Sequence, residues 1–198
     1  MSRMYFTADL HLGDELVARN RGYSNVHDYD DMIVETVIST VLEDSTLWIL
    51  GDLMGWSSRR EHALSLLQHV QFETGVIMHL VPGNHDTCHP MHRHAHKEQS
   101  KYFGVFTSVQ PFAKIRHNRG DVLLSHFPYK GDHTVEQRFN QWRLRDYGLP
   151  LIHGHTHQPT PTDVTRPNQV CVSWDAWGRP AKLHEVMALL EADNTGGA

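Results

Sequence analysis

The sequence predicts an α/β sandwich, with two sheets face to face and helices outside, and three observations support this. In the first half, short apolar runs bounded by Gly, Pro and Asp alternate with segments of helical periodicity. This βαβαβ order builds a largely parallel sheet with helices on its faces. In the second half, short strand-like runs follow one another without long helices between them, which supplies a second sheet. The length of 198 residues suits one domain, and 39% hydrophobic with 21% charged residues suits a globular chain.

Arg3 to Ala8 reads as a strand that ends at Asp9. Asp28 to Glu43 reads as a helix, with Asp28 as N-cap and Met32, Ile33, Thr36, Val37 and Val41 on one face. Thr46 to Leu50 is a nearly continuous apolar run stopped by Gly51, as expected of a buried strand. Ser58 to Glu61 has the form of a capping box and precedes a helix to about His69. Val76 to Val81 is a further strand, stopped by Pro82-Gly83. Val105 to Val109, Ala113 to Ile115 and Val122 to Ser125 read as strands, Thr134 to Arg145 as a helix, and Leu151-Ile152 and Val170 to Ser173 as strands. Pro180 is expected to open a last helix carrying Leu183, Val186, Met187 and Leu190 at helical spacing. Residues 1–192 then form one domain, and Asp193 to Ala198 a frayed tail.

The bulk properties exclude several classes. No apolar run approaches the roughly 18 residues that span a bilayer, and residues Met1 to Ala8 lack the form of a signal peptide, so no membrane association is expected. Two cysteines, Cys88 and Cys171, cannot build a disulfide framework, which points to a reducing, cytoplasmic setting. A formal net charge of −5 argues against a protein that grips duplex nucleic acid by its phosphates, but it leaves small nucleotides open. The 17 histidines are the compositional outlier. They are too many for one site, so a number of them must be ordinary surface or packing residues.

Five segments carry the chemistry: Asp9-Leu10-His11, Gly51-Asp52, Gly83-Asn84-His85-Asp86, Ser125-His126 and His153-Gly154-His155-Thr156-His157. Each follows a predicted strand, and ligands of α/β sheets bind beyond the carboxyl ends of strands. Carboxylate, amide oxygen and imidazole are all metal-ligand types. Asp52 is a candidate bridge, because a carboxylate has two oxygens and can serve two ions. Mixed His and Asp ligands suit Mn²⁺, Fe or Zn²⁺ better than Ca²⁺. Any one segment has an ordinary explanation: Gly-Asp after a strand is commonly a turn, and a histidine-rich loop needs no metal. Coincidence does not account for all five in this order.

The ordered set Asp9-x-His11, Gly51-Asp52, Gly83-Asn84-His85-Asp86, His126 and Gly154-His155-x-His157 resembles the calcineurin-like metallophosphoesterase superfamily. Ser173-Trp174-Asp175-Ala176-Trp177 resembles the Val-Asp-x-Trp stretch of its small single-domain members, with Trp174 in place of the valine. The resemblance implies a four-layered αββα sandwich of two mixed sheets flanked by helices. It implies two divalent metal ions, for which Mn²⁺ is preferred: Asp9, His11 and His157 hold the first, Asn84, His126 and His155 the second, and Asp52 bridges both. His85 stands beside the scissile phosphate without binding metal, and Asp86 orients its ring. The histidine-rich run from Thr87 to His96 has no counterpart in this pattern and reads as a solvated loop over the site, with an accessory metal or substrate contact as the alternative.

The expected function is hydrolysis of small phosphodiesters, with 2′,3′- or 3′,5′-cyclic nucleotides as candidates, by in-line attack of a hydroxide bridging the two metals. His85 protonates or stabilises the leaving alkoxide. The chain is too short to carry a large capping domain, which ranks a processive nuclease low. Tyr129, Trp142, Trp174 and Trp177 are candidates to stack a base, and Arg21, Arg59 and Arg60 to meet phosphate, although core packing and a solvated face are the ordinary roles of such residues. Three alternatives compete: a phosphomonoesterase or protein phosphatase on the same site, a catalytically inactive binding scaffold, and a histidine-rich metal buffer. The intact ligand set disfavours the scaffold, and the buffer predicts many weak sites.

Overall fold

The computed structural model describes residues 3–118 and 120–195. In chain order the elements are β1 (Met4–Thr7), α1 (Glu15–Asn20), α2 (Val26–Thr40), β2 (Thr46–Ile49), α3 (Arg60–Thr74), β3 (Ile77–Leu80), α4 (Ala95–Glu98), β4 (Ser108–Val109) and β5 (Ala113–His117). There follow β6 (Gly120–Leu124), β7 (Leu151–His153), β8 (Gln169–Cys171), α5 (Trp174–Trp177), β9 (Ala181–Lys182) and α6 (Leu183–Thr195). They form the predicted sandwich of two mixed sheets flanked by helices. The first sheet has the order β4-β3-β2-β1-β9 and the second β5-β6-β7-β8. In the first, only β9 runs antiparallel to its neighbour; in the second, only the β5–β6 pair is antiparallel.

Side-chain alternation in the strands splits the core in two. Tyr5, Leu47, Ile49, Met78 and Leu80 pack under Ile33, Val37, Leu64, Leu67 and Val70 of α2 and α3. Phe6, Trp48, Leu50 and Val81 face the second sheet, where Ile115, Val122, Leu124, Ile152 and Val170 meet them, together with Val186 and Leu190 of α6. Register positions the site. Thr7 pairs with Ile49 and Ile49 with Leu80, so β1, β2 and β3 end level with one another. Leu124 pairs with Ile152 and Ile152 with Val170, which levels the second sheet in the same way. A bridge between Ala8 and Ser173 joins the two sheets at this rim.

Several element boundaries differ from the sequence reading. Asn25, not Asp28, caps α2: its Oδ1 accepts from Asp28 N at 2.9 Å, and its Nδ2 donates to Asp28 Oδ2 at 2.6 Å. The Ser58–Glu61 capping box does not form. A 3₁₀ turn leads into α3, and Glu61 pairs with Arg60 at 2.7 Å. The helix continues past His69 to Thr74, where Gly75 ends it in the left-handed region. Pro180 opens a strand and not a helix, because Ala181–Lys182 pairs antiparallel with β1; α6 starts at Leu183. That helix extends through Thr195, into the expected tail, while residues 196–198 lie outside the described residues.

The predicted helix over Thr134 to Arg145 is absent apart from a 3₁₀ turn at Asn140–Trp142. The buried Asp132 carboxylate gathers this segment, accepting from Arg138 N at 3.1 Å, Arg138 Nη2 at 2.9 Å and Arg143 Nη2 at 3.4 Å. Phe139 takes a left-handed φ of 59° and packs on Phe127. These tertiary contacts override a weak helical preference.

Candidate metal centre

The loops after β1 and β2 are zipped together at the rim. Asp9 N donates to Gly51 O at 2.9 Å, His11 N to Asp52 O at 3.0 Å and Leu12 N to Leu53 O at 2.8 Å. This pairing turns the backbone sharply. Among the described residues eight non-glycine residues have positive φ, and five of them are Asp9, His11, Asp52, His155 and His157. Such conformations are costly for residues with a Cβ and concentrate where side-chain placement is functional. The glycines of the motifs make room for the close approach. A Cβ on Gly51 would stand 2.4 Å from Gly83 N, and one on Gly83 would stand 2.2 Å from Asp52 Oδ1.

All seven predicted ligands converge at this rim. Asp9, His11 and His157 form one group and Asp52, His126 and His155 another, each offering ligand atoms within 4.8 Å of one another. Asn84 joins the second, with Oδ1 3.2 Å from His126 Nε2. Asp52 stands between the groups: its Oδ2 lies 3.9 Å from His11 Nε2 and 3.5 Å from His126 Nε2. Each group draws from both sheets. Asp9, His11, Asp52 and Asn84 follow strands of the first sheet, and His126, His155 and His157 follow strands of the second.

Hydrogen bonds fix which ring nitrogens face inward. A carbonyl oxygen only accepts, so His126 Nδ1, 2.7 Å from Leu50 O, carries the proton and leaves Nε2 as a lone pair toward Asp52. His157 Nδ1 likewise donates to Asp175 Oδ2 at 2.8 Å, and its Nε2 lies 3.2 Å from His11 Nε2. Burial opposes charge here. It pushes the His11, His153 and His155 imidazoles down, the last two to about 3. It also raises the Asp9 carboxyl. Burial would raise Asp52 as well, but His126, His11 and His85 overcome it and hold that carboxyl well below the usual range. Closely spaced carboxylates and imidazoles in a buried site are a donor set that could hold a divalent cation.

Asp175 and Arg21 support the first group. Arg21 grips Asp175 at 2.9 and 2.6 Å, donates to Asp9 O at 2.9 Å and bonds Tyr29, whose hydroxyl donates to Leu10 O at 2.7 Å. Arg21 is therefore a structural brace and not a substrate contact. Asp175→Asn weakens the hold on the His157 ring, and the expected result is a 10- to 100-fold loss of Mn²⁺ affinity by titration calorimetry. Unchanged affinity would remove this orienting role.

The sequence reading of Asp86 needs correction. Its carboxylate does not orient the His85 ring; it accepts backbone N–H groups from Asp52 (2.9 Å), Leu53 (3.1 Å) and Gly83 (2.7 Å). The His85 ring is held by Gly55, with Nδ1 2.7 Å from the carbonyl oxygen. Burial, followed by the charge of Asp52, pushes the Asp86 carboxyl up, against these donors. Asp86→Ala orphans three buried donors, and a loss of about 3 kcal/mol is expected in urea unfolding. A change under about 0.5 kcal/mol, the range of an ordinary surface substitution, would contradict the anchoring role.

His85 differs from the ligands in exposure: its side chain is 40% exposed, against 3% for Asp52, and its Nε2 stands 3.9 Å from Asp52 Oδ2. It faces outward from the rim. In the histidine-rich run, His89 is buried against Phe127 and Trp142, and His92 Nε2 donates to Asn84 O at 3.0 Å. These two brace the site, while His94 and His96 are exposed. Tyr129 and Trp174 are buried, and Trp177 donates to Cys171 O at 2.9 Å beside the inter-sheet core, so none of the three is open to a base. Arg60 is paired with Glu98 and Glu61, and Arg59 lies 3.7 Å from Glu15.

Two residues here escaped the sequence reading. Asp132 stands 3.3 Å from His155 Nε2, and the only available signal was its place beside His133 after a glycine. Trp56 is 68% exposed next to Gly55. Its signal was an aromatic residue in a polar loop that belongs to no apolar period.

The fold and rim define an α/β sandwich with a seven-residue candidate centre for two cations. The chain belongs to the family of the gene 66 proteins of mycobacteriophages. It is 41% identical over 201 residues to the gene 66 protein of Mycobacterium phage L5, covering 96% of this chain and 95% of the relative. The gene 66 protein of Mycobacterium phage D29 is 39% identical over 197 residues, covering 96% of each. An uncharacterized protein of Methanocaldococcus jannaschii is 24% identical over 159 residues, covering 79% of this chain and 70% of that one. No protein-family profile matches. A solved protein of unknown function from Aquifex aeolicus shares the fold, with a TM-score of 0.69 at 20% identity over 96% of this chain and 100% of that one.

Proposed function

We propose that this chain is a phosphodiesterase of the calcineurin-like metallophosphoesterase type, dependent on two divalent metals and acting on small phosphodiesters, with cyclic nucleotides as candidate substrates. The observation that carries the reading is the position of Asp52 between two His/Asp groups, with the half-exposed His85 beside it. Asp9, His11 and His157 would hold one cation, Asn84, His126 and His155 the other, and Asp52 both. When bound, the cations (Mn²⁺ preferred, Fe or Zn²⁺ as alternatives) neutralise phosphate oxygens and acidify water.

The chain's own groups then have distinct tasks. Asp175 and Leu50 O keep the His157 and His126 rings turned so that Nε2 faces the centre. Gly55 O holds His85 by Nδ1, with Nε2 3.9 Å from Asp52 Oδ2, and in this reading Nε2 is the atom that would pass a proton to the leaving alkoxide. A dianionic monoester calls for extra cationic contacts. Arg21 and Arg60 are engaged with Asp175 and Glu98, which leaves the exposed Arg93 to supply such a contact and keeps the diester the favoured substrate. No helix among the described residues is long and apolar enough to cross a membrane, and the buried free thiols of Cys88 and Cys171 support a reducing, cytoplasmic setting.

The test is hydrolysis by metal-stripped protein, with and without Mn²⁺, of bis-p-nitrophenyl phosphate against p-nitrophenyl phosphate. Mn²⁺-dependent turnover of the diester is expected. A preference for the monoester would move the reading to a phosphatase. No turnover of either, with about two metals bound, would favour a narrow natural substrate or a binding role.

A further inference from the structure

A cleft of about 630 Å³ opens beside the candidate centre, and Asn84, His85 and Trp56 are among the residues that line it. Its size is that of a small-molecule site. Trp56 is 68% exposed, an unusual state for the largest apolar side chain when no partner covers it. Its backbone is nevertheless fixed on both sides. Gly55 O holds the His85 ring at 2.7 Å, and Trp56 O accepts from Arg59 N at 2.9 Å, opening the turn before α3. The indole is thus a free face on a rigid support, one residue from the group that orients His85.

Charge in the cleft is also one-sided. Arg60, Arg93 and Lys101 line it against a single carboxylate, Glu98. Arg60 and Lys101 both bond Glu98, at 2.5 and 2.9 Å. Arg93 is exposed and has no carboxylate partner among the described residues. An aromatic platform and an unpaired cation lining one cleft suit a planar, π-faced group attached to an anion.

We propose that this cleft is a nucleoside subsite: Trp56 stacks the base of a nucleotide whose phosphate lies at His85 and Asn84, and Arg93 adds attraction for the phosphate charge. This deepens the phosphodiesterase reading and rests on it for the position of the phosphate. It also assigns the stacking role to a residue other than the aromatic candidates taken from sequence.

Two measurements on the full chain test the subsite. The first is equilibrium titration, with and without Mn²⁺, of adenosine 5′-monophosphate against ribose 5-phosphate, which lacks the base. The wild type should prefer the base-bearing ligand by about 10-fold, in line with the general worth of base stacking. Trp56→Ala should erase the preference, Trp56→Phe should restore most of it, and Arg93→Ala should weaken both ligands by a similar factor. The second compares KM for adenosine 2′,3′-cyclic phosphate and glycerol 1,2-cyclic phosphate, which share a five-membered cyclic diester. Trp56→Ala should raise KM for the first alone.

Equal binding of the two monophosphates, unchanged in Trp56→Ala, would overturn the subsite even if the diesters are turned over. Base-selective binding lost in Trp56→Ala, without Mn²⁺-dependent turnover of any ester, would keep the subsite and overturn the hydrolase.

Discussion

Asp52→Ala is expected to lower kcat on bis-p-nitrophenyl phosphate by about 10³-fold or more, which corresponds to roughly 4 kcal/mol of lost transition-state stabilisation. Elemental analysis should show fewer than two bound metals per chain. The physical basis is that one oxygen, Oδ2, faces both His11 Nε2 and His126 Nε2, so its removal affects both groups at once. Asp52 Oδ1 also accepts the His85 backbone N–H at 2.9 Å, so His85 loses an anchor in the same variant. Circular dichroism separates this from unfolding. A folded Asp52→Ala protein that keeps two tightly held metals would show that Asp52 does not bridge.

His85→Ala should behave differently. Turnover falls by 10²- to 10⁴-fold, the range of a positioned general acid, while both metals remain. This follows from its exposure and from the engagement of its Nδ1 with Gly55, which leave its ring at the mouth of the site and not in the ligand cluster. The deficit should be smaller with p-nitrophenolate as leaving group than with an alkyl alkoxide, because the better leaving group needs less help from a proton. An equal deficit for both would remove the general-acid role. Loss of metal in this variant would mean that the ligand set has been misassigned.

Most of the rim was legible in the sequence because its candidate ligands sit at strand ends, and a strand end is marked twice: by the close of an apolar run and by a glycine. Ile49-Leu50-Gly51-Asp52 and Leu80-Val81-Pro82-Gly83-Asn84 show both marks. Parallel register then brings such positions together whatever their separation in the chain. The residues that support the ligands carry no such mark. Asp86 reads as a partner of its neighbour His85, yet its carboxylate folds back onto the amides of Asp52, Leu53 and Gly83. Asp132 looks like any loop acid, but it gathers Arg138 and Arg143 and so prevents the helix that the 134–145 segment suggests. Arg21 looks like a surface cation and is a half-buried brace. In each case the deciding partner is distant in sequence, and local pattern does not encode it.

The division of ligands between the sheets has a mechanical consequence. Asp9 and His11 come from one sheet and His157 from the other; Asp52 and Asn84 face His126 and His155 in the same way. Each proposed cation is therefore a rivet through the seam of the sandwich. At this rim the sheets are otherwise fastened by hydrogen bonds such as Trp174 N to Ala8 O and His155 N to Asp9 Oδ2. A ligand that binds only the closed seam stabilises it by mass action. Free metal concentration would then set how long the two halves stay together as well as how fast they work, and a chelator would act on this protein as a slow denaturant.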